Sequence, residues 1–373
     1  MTRRLRVLQV VQNLDYGGME RLIVDLVTRL DPARFEPQVL VLGGVGRFAE
    51  DLPSHVPLHR APPLSKFSML WPAGLISVLR QLRPDILHSH SGVWYKSSLA
   101  ARRAGIPVVV HTDHGRPTPD PLARRLLERV AARRTDVVVA VSSALEQRLR
   151  NTVVGGAAPV ELIVNGVDTE AHRPLPDDGR IRRELGLAPD VPILGSIGRL
   201  ELIKGYDVML AAYGRLQAEW SGPGPVPALV VGGDGSERER LQALARSQGL
   251  QRAFLLGWRD DVEALHASFS LFTMSSRSEG TSVSLLEAMS AGLCPVVTDV
   301  GGNRSVLGGE LHHRLVPSEN HAALAAGWAT ALDNREGRAR DARAARCRVE
   351  RDFSLDAMVR SYERLYQRLH LAS

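Results

Sequence analysis

A chain of 373 residues is long for one compact domain and comfortable for two of about 150 to 200 residues each. Its 44% hydrophobic and 24% charged residues suit a globular protein with a sizeable core, and its two cysteines exclude a disulfide framework. The net charge of +6 is uneven: residues 1–160 hold 22 Lys and Arg against 13 Asp and Glu, and the remainder holds 25 against 28. Such asymmetry marks the first half as the side that meets an anionic partner, and the lack of aromatics among its arginines argues against nucleic acid.

The N-terminal MTRRLRVLQVVQNL begins with the arginines of a signal peptide. Gln9, Gln12 and Asn13 break its apolar stretch too early, so it reads as a first strand. No run reaches the ~18 apolar residues of a membrane span. Cys294, in LCPVV, reads as a buried free thiol. A soluble or peripheral protein of the reducing cytoplasm is the expectation.

Short β-rich runs then alternate with helical ones. LRVLQVVQ is followed by Gly17–Gly18 and the helix MERLIVDLVTRL, then by PQVLVLGG, a helix, DILHSHS, a helix through KSSLAARRAG, PVVVHT, a helix and DVVVAVSS. The strands are nearly continuous apolar runs, as when both faces of a parallel sheet are covered, and the alternation predicts a doubly wound α/β domain. The helix LARRLLERVAARR (122–134) sets Leu122, Leu126, Leu127 and Val130 at helical spacing against five arginines. Two readings stay open for it: an amphipathic helix resting on anionic lipid, or a solvated helix whose apolar side packs into its own domain.

The pattern pauses after VELIVNGVD, where EAHRPLPDDGR has the polar, proline-bearing composition of a linker. It resumes with PILGSIGRL, a helix from Gly205, ALVVGGDG, the helix SERERLQALARSQ, AFLLGW, a helix, LFTMSS, a helix through SLLEAMSAG, and CPVVTDVGG. Two halves, 1–170 and 171–353, are thus expected to join near 170–185, and a closing helix over 354–373 is expected to return to the first.

Open parallel sheets bind ligands beyond the carboxyl ends of their strands. That rule selects Gly17–Gly18 and His111 to Arg116 in the first half, and Gly198 to Gly205, Gly232 to Ser236 and Ser275 to Ser284 in the second. Arg199 follows one strand and Lys204 opens a helix five residues later; two cations beside helix N-termini suit a diphosphate. In SEGTSVSLLEAMSAG, Glu279 stands at the turn, Gly280 admits a close backbone approach, Thr281, Ser282 and Ser284 are capping residues, and Glu287 lies two turns further along. Carboxylates accept readily from vicinal sugar hydroxyls, and open N–H groups at a helix start attract a phosphate.

Glu279 and Glu287 with seven residues between them, followed by AMSAGLCPVV and DVGG, resemble the E-x7-E signature of retaining GT-B glycosyltransferases of family four. GGMER, HTDHGR, AVSSALEQRL, VNGVD, GRLELIKG and GGDGSERERL fall in the family's order, so the resemblance covers roughly residues 7 to 365. This ordered set is far more specific than E-x7-E alone, and GGMER and HTDHGR are similar to bacterial exopolysaccharide-associated sugar transferases. The resemblance implies an α/β GT-B fold of two Rossmann-like, doubly wound domains facing a central cleft. It implies that Arg199 and Lys204 bind the donor diphosphate, that Glu279 contacts the transferred sugar and that His114, or alternatively His111, lies near it. It also implies donor binding by Glu287 at the ribose, by Gly17 and Gly18, and by Gly280, Thr281 and Ser282. The chain departs from the family at Thr281–Ser282, where Pro or an aromatic residue is usual, and at Asn303–Ser305, where a Glu is usual.

No two aspartates are separated by a single residue, so the Asp-x-Asp metal motif of GT-A enzymes is missing. Neither a metal nor another cofactor is expected, and the leaving charge falls to Arg199, Lys204 and helix N-termini. The expected reaction is retaining transfer of a hexose from a UDP- or GDP-linked donor to a glycan or lipid-linked acceptor, in exopolysaccharide or glycolipid synthesis. Its expected place is the cytoplasm or the inner face of the cell membrane. An epimerase or phosphorylase of the same fold and a non-catalytic nucleotide-sugar-binding scaffold are the alternatives. A nicotinamide-dependent oxidoreductase is disfavoured. Gly44 to Ala49 match G-x-G-x-x-G/A, yet they follow the second strand, and no acidic residue lies between Asp51 and Asp85 to hold a ribose.

Overall fold

A computed structural model describes residues 3–15, 17–63, 70–115, 121–222 and 224–373. Arg116, the last residue of HTDHGR, lies outside them. The chain divides into two compact units, Met1–Asn165 with Leu355–Ser373, and Gly166–Ser354.

In the first unit the apolar runs form β1 (Leu5–Val11), β2 (Phe35–Val41), β3 (Leu58–Arg60), β4 (Ile86–His90), β5 (Val108–Asp113), β6 (Val137–Ala140) and β7 (Val160–Leu162). They pair in parallel in the order β3-β2-β1-β4-β5-β6-β7. The helices are α1 (Gly18–Arg29), α2 (Ala73–Leu82), α3 (Trp94–Ala104), α4 (Leu122–Ala132) and α5 (Ser143–Arg148). Successive strand residues point to opposite faces, and both faces are covered. Leu8 and Val10 pack with Leu75, Leu79 and Ala100 on one side; Val11 and Val39 pack with Ile23 and Val27 on the other.

Two details differ from the sequence expectation and one agrees with it. The short edge strand β3 was not foreseen. After β2 the Gly44–Ala49 segment makes only a 3-10 turn, Arg47–Ala49, instead of the helix that a dinucleotide fingerprint requires. In α4, Ala131 and Ala132 join Trp94 and Val138 in the core. Leu122 and Leu126 are 70% and 65% exposed, so the expected alternative in which the leucines pack inward is wrong.

The second unit holds β8 (Ile193–Ile197), β9 (Ala228–Gly232), β10 (Ala253–Gly257), β11 (Leu271–Met274), β12 (Pro295–Thr298) and β13 (Leu315–Val316), parallel in the order β10-β9-β8-β11-β12-β13. Its helices are α6 (Arg180–Glu184), α7 (Tyr206–Glu219), α8 (Arg238–Ser247), α9 (Val262–Ser268), α10 (Val283–Ser290), α11 (Asn303–Leu307), α12 (His321–Asp333) and α13 (Arg335–Asp352). Leu194, Leu229 and Leu271 pack with Met209, Tyr213 and Trp328. Cys294 is buried, and burial pushes its thiol pKa up to about 11. The region from α11 to α13 escaped the sequence reading because α13 is charged nearly all round. Its buried stripe is Gly337, Asp341, Ala345 and Val349, with Asp341 accepting from Arg314 Nε at 2.8 Å.

The closing helix α14 (Leu355–Leu371) belongs to the first unit. It buries Leu355, Met358, Val359, Leu365 and Tyr366, and Glu363 accepts from the Asp31 N–H at 2.8 Å. In each unit the strand order reverses once, between β1 and β4 and between β8 and β11, which is where such sheets open a crevice for a ligand.

Candidate functional site

The reversal between β8 and β11 gathers the polar residues of the second unit. Beyond β8 the chain makes a single 3-10 turn, Leu202–Lys204, and α7 starts only at Tyr206. Lys204 therefore ends a turn and does not open the helix, because Gly205 between them takes a left-handed conformation (φ 65°). A Cβ on Gly205 would sit 2.2 Å from the Ser275 carbonyl oxygen, so the turn lies directly against the end of β11.

That close approach brings Lys204 Nζ to 2.6 Å from Glu279 Oε1, which also accepts from Ser276 Oγ at 2.6 Å. The two side chains are 21% and 8% exposed. Lys204 lines a small recess with Ser196, Tyr206, Ser275 and Ser276. Burial raises the Tyr206 phenol pKa, so this hydroxyl stays neutral. From the other side Gly301 (φ 53°) presses on the same loop; a Cβ there would lie 1.8 Å from the Glu279 carbonyl oxygen. Gly302 N–H donates to Gly280 O at 2.8 Å. The DVGG segment thus clamps the Glu279–Gly280 backbone.

Thr281 and Ser282 are buried beneath this turn. Ser282 is the N-cap residue of α10, but its hydroxyl donates to Met274 Sδ at 3.6 Å and lies 3.3 Å from Ser284 Oγ. It caps no N–H of the helix, which corrects the expected capping role. Because α10 begins at Val283, Glu287 sits in its second turn and not two helical turns beyond Glu279. Glu287 Oε1 lies 3.7 Å from His172 Nε2. Arg199 stands exposed, and its side chain makes no hydrogen bond or ion pair with the described residues.

The remaining candidates lie in the first unit. Gly17 is the N-cap of α1 and Gly18 its first residue. Gly17 has an extended backbone, so no turn demands a glycine there, and a Cβ on it would lie 2.3 Å from the Glu20 carboxylate, which folds back over the start of the helix. His111 is fully buried, stacked on Trp94 at 4.1 Å, with Nδ1 3.0 Å from Ser89 Oγ. His114 follows β5 in a turn made by Asp113, whose Oδ1 accepts from Gly115 N–H at 3.0 Å. Burial lowers the His114 pKa to about 4.

Sequence reasoning passed over Gln9, His88 and His90, which lie beside His114. Their signal was present: polar residues in strands covered on both faces need polar partners. Among the described residues no group of three His, Cys, Asp or Glu side chains could hold a metal ion. No described helix is long and apolar enough to cross a membrane.

Two parallel-sheet α/β units of this kind define the GT-B class, the fold expected from sequence. HepE from Anabaena, solved with UDP and glucose, superposes with a TM-score of 0.82 over 98% of this chain and 100% of that one, at 20% identity. Residues 16–171 match the family model described as Glycosyltransferase Family 4, and residues 177–348 the model described as Glycosyl transferases group 1. The chain belongs to the GT-B glycosyltransferases of family-four type. Among curated proteins it is 28% identical over 252 residues to the UDP-Gal:alpha-D-GlcNAc-diphosphoundecaprenol alpha-1,3-galactosyltransferase of Escherichia coli, spanning 65% of each chain. It is also 28% identical over 341 residues to the 2-deoxystreptamine N-acetyl-D-glucosaminyltransferase of Streptomyces fradiae, spanning 83% of this chain and 80% of that one.

Proposed function

We propose that this glycosyltransferase moves a hexose from a UDP- or GDP-linked donor to a hydroxyl of a glycan or lipid-linked acceptor, with retention of configuration and without a catalytic metal. The observation that carries the reading is the Lys204–Glu279 pair at the strand-order reversal of the second unit, 2.6 Å apart. An arriving diphosphate replaces Glu279 as the partner of Lys204, and Arg199, with no competing partner among the described residues, adds a second positive charge. Glu279, still held by Ser276, then accepts from hydroxyls of the transferred sugar, and Glu287 from those of the ribose. Gly280, Thr281 and Ser282 offer backbone at the start of α10, where the Ser282 side chain caps no N–H group. In the first unit, Gly17 and Gly18 serve the phosphates and acceptor, and His114 serves a sugar hydroxyl.

As the bond from the anomeric carbon to the diphosphate oxygen breaks, negative charge grows on that oxygen, and Arg199 and Lys204 stabilise it. The acceptor oxygen bonds to the anomeric carbon on the same face, and its proton passes to the departing phosphate oxygen. The relatives support the donor class, since the Escherichia coli protein is named for UDP-Gal and for a diphosphoundecaprenol-linked sugar. A lipid-linked acceptor also fits α4, whose exposed Leu122, Leu126 and Leu127 lie among arginines and match an anionic lipid surface. Exopolysaccharide or glycolipid assembly is the corresponding setting.

The test is turnover of a panel of UDP- and GDP-hexoses by the full chain, read as nucleoside diphosphate release and as the anomeric configuration of the product. Lys204→Ala should lower turnover by about 10² to 10³, the cost of losing one preorganised charge partner. A loss smaller than about threefold would remove Lys204 from the site, and an inverted product would refute retention.

A further inference from the structure

Beneath His114 lies a chain of buried polar side chains that none of the roles above uses. It runs across the first unit's strand-order reversal, from β5 through β4 and β1 to α14. His114 Nε2 is 3.0 Å from His90 Nδ1, and His90 Nε2 is 2.8 Å from Gln9 Oε1. Gln9 Nε2 donates to Tyr366 Oη at 3.2 Å, and Tyr366 Oη is 2.7 Å from His88 Nδ1. His88 Nε2 is 2.7 Å from Thr112 Oγ1, which is 3.1 Å from Tyr362 Oη. Gln9, His88, His90 and Thr112 are all buried, and so are both tyrosines.

The donors and acceptors along this chain are not independent. The Gln9 carbonyl oxygen only accepts, so His90 must carry its proton on Nε2. A neutral imidazole has one N–H, so His90 Nδ1 is then an acceptor and His114 must donate to it from Nε2. By the same rule His114 Nδ1 is left bare. That atom is buried and has no hydrogen-bond partner among the described residues. Downstream Gln9 donates to Tyr366 in the same direction, and the donor roles between Tyr366 and His88 and between His88 and Thr112 follow the His88 tautomer. Burial supports the neutral state throughout, lowering the pKa of His88 to about 3 and of His114 to about 4, and that of His90 well below its usual range.

We propose that Gln9, His90 and Tyr366 form a one-way hydrogen-bond relay that holds His114 as the neutral Nε2–H tautomer, reserving its Nδ1 lone pair for a hydroxyl proton of the bound sugar. This rests on the reading of His114 as a donor-sugar contact. The three are positioning residues: they touch no substrate and act through His114. An unpaired buried acceptor is unfavourable by itself, and the arriving hydroxyl satisfies it. A tautomer with the proton on Nδ1 would instead present a donor and suit a carbonyl or phosphate oxygen. The relay thus selects what the first unit recognises. It also makes that selection depend on Tyr366 in α14, 357 residues from Gln9 in sequence.

The decisive measurement is imidazole 15N–1H correlation spectroscopy on the full chain with labelled histidine, the His114 signals being identified by their loss in His114→Asn. The expected result is a proton on Nε2 and an unprotonated Nδ1 whose resonance moves when the donor sugar binds. A proton on Nδ1, or a doubly protonated ring at neutral pH, would overturn the proposal. Gln9→Met should blur the tautomer and lower kcat by ~10- to 100-fold, the usual cost of losing a supporting partner, with nucleoside diphosphate affinity unchanged. A single Nε2–H tautomer in Gln9→Met would likewise refute the relay. Should Gln9→Met fail to fold, the wild-type spectrum still decides. If no nucleotide sugar is turned over, the functional reading falls while the tautomer result stands; normal turnover with a proton on Nδ1 removes the relay alone.

Discussion

Lys204 and Glu279 are 75 residues apart in sequence and 2.6 Å apart in space. The residues that close this gap are glycines. Gly205 lets the turn after β8 rest on the end of β11, and Gly301 lets the loop after β12 rest on the Glu279 carbonyl. At Gly301 a side chain faces two obstacles at once: a left-handed backbone, which costs about 1–2 kcal/mol for other residues, and an oxygen 1.8 Å from its Cβ. Gly301→Ala should therefore displace the Glu279 loop, lowering both the melting temperature and donor turnover. A variant that melts and turns over like wild type would show that the loop can yield without consequence. Arg199, Lys204 and Glu279 stood out in the sequence because they follow strands where open parallel sheets bind ligands, and Glu287 because seven residues separate it from Glu279. That Lys204 and Glu279 pair with each other did not, because pairing depends on which strands are neighbours.

Among the elements, α4 shows how periodicity can misdirect. Its leucines and arginines segregate as expected, but the face that meets the sheet is the one bearing Ala131 and Ala132, with Glu128 tucked in beside Arg124 at 2.9 Å. The bulky Trp94–His111 stack already fills the same unit's core, so small alanines suffice there. Replacing Leu122, Leu126 and Leu127 together by Ser should leave thermal stability nearly unchanged, since exposed leucines contribute little to the fold. The same variant should lose binding to vesicles rich in anionic lipid in a sedimentation assay. A large fall in melting temperature would mean that these leucines are packed, and undiminished vesicle binding would remove α4 from the membrane reading.

The last helix makes the opposite case. Burial of Leu355, Met358, Val359, Leu365 and Tyr366 contributes about 1.5–3 kcal/mol each. Summed, that is on the order of 10 kcal/mol, comparable with the whole stability of a domain. Ending the chain after Ser354 should leave the first unit unfolded by circular dichroism and by proteolysis, and a folded truncated chain would contradict this weight.

Across the whole molecule, several buried histidines are held neutral. Burial lowers His88 and His266 to about 3, and His90 well below the usual range. Their folded pKa values lie below the unfolded value near 6.5, so the unfolded chain binds protons first as the medium is acidified. Stability is then complete above about pH 6.5 and is lost as pH falls from there towards the folded values. Carboxylates such as Asp207 and Asp341, whose pKa values are lowered by Arg277 and by His313 and Arg314 against the effect of burial, add their own loss only at lower pH. Thermal stability should accordingly fall between pH 6.5 and about pH 5, above the range in which Asp207 and Asp341 titrate. A melting temperature constant over that interval would mean that the histidines are solvated.

The amino-acid order determined by itself that parallel strands alternate with helices in two runs, because strands buried on both faces must be apolar along their length and helices must not. It also determined which residue types stand at the strand ends, since local spacing and turn chemistry mark those positions. Only the tertiary structure decided that Gly205 and Gly301 close the loop around Glu279, that α4 turns its leucines outward, and that Tyr366 reaches Gln9 and His88. Each of those depends on contacts between segments far apart in the chain, and a hydrogen bond or a steric fit across such a distance leaves no periodicity behind it.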